Sequence, residues 1–225
     1  MIKEYREILE LFKELSDNTD KNMDIYLIGG GALMKHGLKE YTKDVDIVVG
    51  DEETFNGLTQ LLLDVGFISK MPEEAHLKMS LSQILVRGEA RVDLFNRTVC
   101  RTLFLSEGMK GRSRPEETGG VRLHVCAPED LLIFKSVSER EGDREDSAQI
   151  VRSGKMDWNT VMSEIKHQME NGEDVRITWI TAFFNELAEE KKIITPMQKE
   201  LNALSDAFFE KYEGEHANHI KERNC

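Results

Sequence analysis

The sequence predicts an α/β fold of the α+β kind, a mixed sheet flanked by helices and followed by a helical C-terminal half. Three observations support it. Short β-rich runs alternate with amphipathic stretches up to about residue 127. A glycine triplet, Gly29 to Gly31, sits between a predicted strand and a predicted helix. From Pro128 onward, apolar residues recur almost throughout at helical spacing. The natural division is an α/β unit over 1–127 and a helical unit over 128–225.

Ile2, Tyr5, Ile8, Leu9, Phe12 and Leu15 share one helical stripe, which predicts a helix over about 2–17. A strand follows over 24–28, then the glycine turn, and Ala32, Leu33 and Met34 open a short helix ending near His36 and Gly37. Asp44 to Val49 reads as a strand, and 52–63 as a helix stopped by Gly66. Segments 83–86 and 91–95, separated by Arg87, Gly88, Glu89 and Ala90, predict a hairpin with Asp93 inside its second strand. Residues 110–120, rich in Gly, Arg, Glu and Pro, read as an exposed loop leading to a strand over 121–126. Pro128 suits the first position of a helix running to about 139, with Glu129 and Asp130 near its positive end. Further helices are expected near 143–153, 157–170, 177–191 and 196–213.

Bulk properties narrow the function classes. With 225 residues, 40% hydrophobic and 32% charged, the chain can bury a core without disulfides. It has no uncharged apolar run of the roughly 18 residues a membrane helix needs. Its opening, MIKEYREILELFKEL, is amphipathic rather than signal-like, so a cytoplasmic protein is expected. Cys100, Cys126 and Cys225 are an odd number without metal-ligand spacing. A net charge of −12 disfavours broad adhesion to nucleic acid.

The chemistry concentrates in the acids. Side chains two apart on a strand share a face, so Asp44 and Asp46 project together while Val45 and Ile47 project the other way. Two adjacent carboxylates oppose joint ionisation, and a divalent cation with a preference for oxygen ligands, Mg²⁺ or Mn²⁺, is the usual remedy. Asp93, flanked by Val92 and Leu94, is placed to join them, and three carboxylates can hold two ions for phosphoryl transfer. The glycines let backbone approach a phosphate closely.

The run LIGGGALMKHGLKEYTKDVDIVV, with Asp93 on a later strand, resembles the signature of the DNA polymerase β nucleotidyltransferase superfamily. Thr42 and the segment PEDLLIFKSVSEREGDREDSAQIV resemble its compact bacterial and archaeal branch, which includes AbiEii-type and MenT-type toxins and the minimal nucleotidyltransferases. The resemblance covers about residues 24–152. It implies a nucleotidyltransferase-type sheet and transfer of a nucleotidyl group from an NTP to a hydroxyl, with pyrophosphate leaving. Asp44, Asp46 and Asp93 would be the catalytic and metal-holding residues, Asp93 also helping to deprotonate the acceptor. Gly29, Gly30, Gly31, Thr42 and Lys135 would bind the nucleotide. Gly31 stands where many members carry Ser, and Lys39 where relatives often carry Arg.

Other readings stand beside these. Asp93 paired with Arg91 would be a surface ion pair, and Lys135, among Leu131, Leu132, Ile133 and Phe134, would extend its ammonium to water. Asp143 and Asp146 either contact the site or fit a helix N-terminus. Arg97, Arg101, Lys110, Arg112 and Arg114 form either a basic rim or scattered loop charge, and His216, His219 and Cys225 lie in a polar tail. The acceptor is open among an RNA 3′ end such as tRNA, a partner protein and a small molecule such as an aminoglycoside. A catalytically silent antitoxin-like partner and a nucleotide sensor without turnover are the competing functions.

Overall fold

The computed structural model describes residues 1–71, 83–100, 102–138, 140–154, 156–172 and 177–223, the side chains of 212–223 excepted. Helix α1 (Tyr5–Asp17) precedes strand β1 (Met23–Ile28), helix α2 (Gly29–Lys35), β2 (Val45–Val49) and α3 (Glu52–Asp64). Then come β3 (Ile68–Lys70), β4 (Gln83–Arg87), β5 (Ala90–Asn96), β6 (Thr98–Val99) and β7 (Leu103–Phe104). Helix α4 (Glu107–Arg112), β8 (Arg114–Pro115) and β9 (Val121–Val125) complete the sheet region. The described elements beyond β9 are helices: α5 (Pro128–Lys135), α6 (Glu141–Arg152), α7 (Trp158–Asn171), α8 (Ile177–Glu190) and α9 (Gln198–Arg223).

Among the described residues seven strands form one mixed sheet in the order β3-β4-β5-β2-β1-β9-β8. At its centre β1 runs antiparallel to β2 and parallel to β9, while β2 runs parallel to β5. The predicted mixed sheet and helical second half are both present. Their buried apolar residues form one cluster extending from Ile8 and Phe12 on α1, through Ile25, Ile47 and Leu94 in the sheet, to Phe184 and Leu201 in the last helices. No helix of the described residues is long and apolar enough to cross a membrane.

Several boundaries differ from the sequence reading, for identifiable reasons. Helix α1 starts at Tyr5 because Ile2 is drawn into a two-way backbone bridge with Thr42, Ile2 N–H to Thr42 O at 2.9 Å and Thr42 N–H to Ile2 O at 3.0 Å. The glycines are the first turn of α2 rather than a turn ahead of it. Helix α5 stops at Lys135, where the Ser136 hydroxyl donates to the Ile133 carbonyl and the chain turns. Part of the expected 110–120 loop is ordered: Ser106 caps α4 by accepting from Met109 N–H, and β8 pairs with β9. The last helix continues to Arg223 rather than 213.

The ordering of α4 has an electrostatic cause. Arg112 sends its guanidinium inward to Asp130 on α5 (2.6 Å) and Glu164 on α7 (2.6 Å), both acids being almost wholly buried. Glu164 also accepts from Gln168, whose side chain donates to Phe104 O and accepts from Phe104 N–H. One cation thus serves two buried carboxylates and joins three helices.

Burial, partly opposed by Arg112, lifts the Asp130 carboxyl to about 6, above its value in an unfolded chain. The folded state therefore holds the extra proton between roughly pH 4 and 6, and this contribution to stability is lost as pH rises through 6. Arg112→Met leaves the two acids without their cation, which costs about 3 kcal/mol. The expected deficit is larger at pH 8, where both acids are charged, than at pH 5; denaturant melts at the two pH values measure it.

Candidate active site

The end of β1, the start of α2 and the start of β2 meet at one point. Ile28 lies opposite Asp46 across β1 and β2, and Asp46 lies opposite Asp93 across the parallel pair β2 and β5. Thr42 holds the approach to β2, donating its hydroxyl to Asp44 O at 3.1 Å. A cleft here is lined by Gly29, Gly30, Lys39, Thr42, Asp44 and Asp46 on the sheet side. Leu131, Phe134, Lys135, Ser138, Arg140, Asp143 and Asp146 line the helical side, with Val99 and Cys100 between.

Glycine is required at two of these positions. Gly29 has φ +60°, and a Cβ there would lie 2.0 Å from Asp46 Oδ2; a Cβ at Gly30 would lie 2.3 Å from Thr42 Oγ1. The backbone therefore sits directly against the carboxylate. Gly31 serves another purpose: its missing Cβ makes room for Ile8 Cδ1 (3.0 Å) and Leu27 Cδ1 (3.1 Å), which lets α1 pack on the sheet.

The three predicted acids differ in surroundings. Asp46 is crowded by protein, and this withdrawal from water, followed by the charges of Asp44 and then Asp93, raises its carboxyl well above the usual carboxylate range. Lys135 and Arg140 offset this only in part. Asp93 is buried, and Arg91 grips both its oxygens at 2.7 Å each. The ion pair anticipated for Asp93 thus exists, but within the sheet interior rather than on the surface. Among the described residues no group of three or more His, Cys, Asp or Glu side chains is arranged to hold a metal ion. Asp44 and Asp46 nevertheless form an acidic pair short of compensating charge, and that chemistry suits a hard divalent cation with oxygen ligands.

Lys135 is buried, its ammonium donating to Asp143 at 2.6 Å and Asp146 at 2.8 Å. Burial alone would lower its pKa, but the two acids outweigh it and hold the lysine charged. Extension into bulk water is therefore set aside, and the ammonium lies along the cleft wall. Asp143 and Asp146, which the sequence allowed as helix-end acids, are buried partners of lysines. Asp146 also accepts from Lys39 with both oxygens at 2.8 Å, and the Ser138 hydroxyl donates to Asp143 at 2.6 Å. Burial, with Asp143 adding, pushes the Cys100 thiol up to about 12, so it remains protonated.

Sequence reasoning singled out neither Ser138, Arg140 and Cys100 nor the pairing of Lys39, because no spacing rule connects them to Asp44. The proposed basic rim is dispersed: Arg112 points into the protein and Lys110 pairs with Glu107. Arg101, Cys225 and the side chains of His216 and His219 lie outside the described residues.

Residues 3–192 match the family model described as nucleotidyltransferase of unknown function (DUF6036). The chain belongs to this family. No curated protein matches this nucleotidyltransferase in sequence. Among solved structures it is similar to ANT(2")-Ia in a crystal structure with adenylyl-2"-tobramycin, at 10% identity and TM-score 0.47 over 73% of this chain and 96% of that one. A solution structure of ANT(2'')-Ia gives 12% identity and TM-score 0.42 over 96% and 97% of the two chains. A crystal structure of an antigenic nucleotidyltransferase-like protein from Paracoccidioides brasiliensis gives 16% and 0.44 over 89% and 93%.

Two outcomes follow from this geometry. Gly29→Ala adds left-handed backbone strain of about 1 kcal/mol and drives the Asp46 carboxylate from its place, whereas Gly31→Ala asks Ile8 and Leu27 to give by a few tenths of an ångström. Thermal melts and the Asp46 carboxyl signal in NMR should show Gly29→Ala as the variant that disturbs Asp46. Asp46→Asn should stabilise the ligand-free protein. A raised carboxyl destabilises the fold increasingly as pH climbs through its titration, so the gain should be larger at pH 8 than at pH 4.

Proposed function

We infer that this nucleotidyltransferase moves a nucleotidyl group from an NTP to a hydroxyl acceptor, with Mg²⁺ or Mn²⁺ held by Asp44 and Asp46 and Asp93 beside them. The supporting observation is the composition of one cleft, in which an undercompensated acidic pair shares the space with Lys39, Lys135 and Arg140. The acids provide a place for a cation, and the basic side chains a place for a polyphosphate.

In this reading the acceptor oxygen attacks the α-phosphorus and forms a new P–O bond. The bond from that phosphorus to the oxygen bridging to the β-phosphate breaks, and pyrophosphate departs with the electron pair. A divalent metal held by Asp44 and Asp46 would supply charge neutralisation for the transfer. Asp93 takes the acceptor proton, Thr42 and the Gly29–Gly31 backbone position the nucleotide, and Lys135 offsets charge on the departing phosphates. The acceptor is an RNA 3′ end, a protein hydroxyl or a small-molecule hydroxyl. A place near the compact AbiEii-type and MenT-type toxins belongs to the same proposal and rests on Thr42 and the 128–151 segment; a cytoplasmic setting is proposed alongside it.

One observation favours a competing reading: Arg91 already occupies both oxygens of Asp93. A chain in which that grip persists would bind nucleotide without turnover. Incubation with each labelled NTP, Mg²⁺ and cell lysate or total RNA separates the two, since transfer of label and release of pyrophosphate occur only in the enzyme. Asp44→Asn and Asp46→Asn should each abolish transfer while the fold persists, because an amide lacks the charge the metal needs; full activity in either would overturn the assignment. NTP with Mg²⁺, at 100 times its Kd, should add about 2.7 kcal/mol, a rise of roughly 5–10 °C in Tm for a chain of this size. Either ligand alone should add little, and equal stabilisation by NTP without metal would indicate the sensor.

A further inference from the structure

Lys39 and Asp146 stand on opposite sides of the cleft. Lys39 belongs to the segment between α2 and β2, and Asp146 to α6, 107 residues further along the chain. Their contact uses both carboxylate oxygens at 2.8 Å. The cavity on which they close has a volume of ≈ 90 Å³, whereas pockets that take ligands of nucleotide size run to roughly 300–1,000 Å³. A nucleotide therefore needs a wider cleft than this one.

The ion pairs in the wall are unequal. Lys135 keeps only 8% of its side chain exposed and has two acids, Asp143 and Asp146. Lys39 keeps 29% exposed and, among the described residues, pairs with Asp146 alone. If Lys39 leaves, Asp146 retains Lys135, and Lys135 retains Asp143, so no buried charge loses its last partner. Separation of Lys39 from Asp146 is thus the opening that costs least, and it turns an ammonium toward the cleft that holds Asp44 and Asp46.

We propose that the Lys39–Asp146 ion pair is a clasp that closes the ligand-free cleft and is displaced by the polyphosphate of an incoming nucleotide, Lys39 exchanging a carboxylate for phosphate oxygens. This rests on the nucleotidyl-transfer reading and extends it, because Asp146 becomes an internal competitor for the substrate's anionic tail. The same exchange would exclude ligands with one weak anionic group, since they cannot replace a carboxylate held at two oxygens.

The test is a double-mutant cycle read by calorimetry, with inorganic tripolyphosphate and the Mg²⁺ complexes of ATP, GTP, CTP and UTP as probes. Asp146→Asn removes the competing charge and leaves Lys39 in place, so the Kd of the bound probe should fall about tenfold. In a Lys39→Met background the same change should leave Kd within twofold. Weaker binding in Asp146→Asn, or equal tightening with and without Lys39, overturns the clasp. A purely structural Asp146 would weaken binding rather than tighten it.

A wild-type measurement covers the case in which Asp146→Asn does not fold. In ¹⁵N-lysine NMR, tripolyphosphate should shift the Lys39 ammonium signal, assigned with Lys39→Met; an unmoved Lys39 signal at saturation overturns the clasp. If no probe binds the wild type or any variant, the nucleotidyl-transfer reading and the clasp fall together. Binding and label transfer with the wrong sign in the cycle defeat the clasp alone.

Discussion

Three carboxylates, Asp44 just ahead of β2, Asp46 on β2 and Asp93 on β5, impose the constraint around which the rest of this structure is arranged. Asp44 is near enough for its charge to raise the Asp46 carboxyl, and Asp93 lies opposite Asp46 across the parallel pair β2 and β5. Like charges so placed raise the free energy of the fold unless something compensates them. Different surroundings meet the demand at each acid. Arg91 neutralises Asp93 from two residues away on the same strand, and partial solvent contact remains to Asp44 and Asp46. On the far wall Lys135 and Arg140 temper the field at Asp46 without cancelling it. The residual negative potential stays concentrated where a cation would be useful and where stability alone would not place it.

The helical half answers with a second set of charges that is nearly balanced. Lys39 and Lys135 interlock with Asp143 and Asp146, and Ser138 adds a hydroxyl to Asp143. Because these groups come from the α2–β2 segment, α5, the following turn and α6, the network also ties α5 and α6 to the chain between β1 and β2. The Arg112 network does comparable work at the other end of α5, through Asp130. Helix α5, only eight residues long, is thus secured by ion pairs at both ends and by an apolar middle that includes Leu132 and Ile133.

Much of this was legible from the residues, and what escaped did so for physical reasons. Strands β1, β2 and β5 and helix α3 carry their periodicity in the sequence, so spacing together with the family resemblance singles out Asp44, Asp46, Asp93 and the Gly29–Gly31 run, although the glycines open α2 rather than forming a turn ahead of it. Helix α4 and strand β8 were hidden because their own residues bury little: α4 is held by the inward Arg112, and β8 by hydrogen bonds to β9. The strands β6 and β7, two residues each, are too short for any alternation to register. At the site, Lys39 and Asp146 lie 107 residues apart, a pairing that local pattern does not contain. The i, i+3 spacing of Asp143 and Asp146 is equally satisfied by a helix dipole, so their lysine partners became visible only in three dimensions.

Asp46 and Asp93 are brought together by parallel strands, which no tight turn can join. The position of β5 is fixed instead by its own hairpin with β4, where Arg87 pairs with Ala90 around Gly88 and Glu89. Strand side chains alternate between faces, so a one-residue slip would turn Asp93 to the opposite side and bring Val92 or Leu94 into its place. Changes in chain length outside the hairpin leave this phase untouched, while a single insertion within it does not. Residues 83–96 therefore act as one ruler, in which the length of the turn decides which face of the sheet Asp93 occupies.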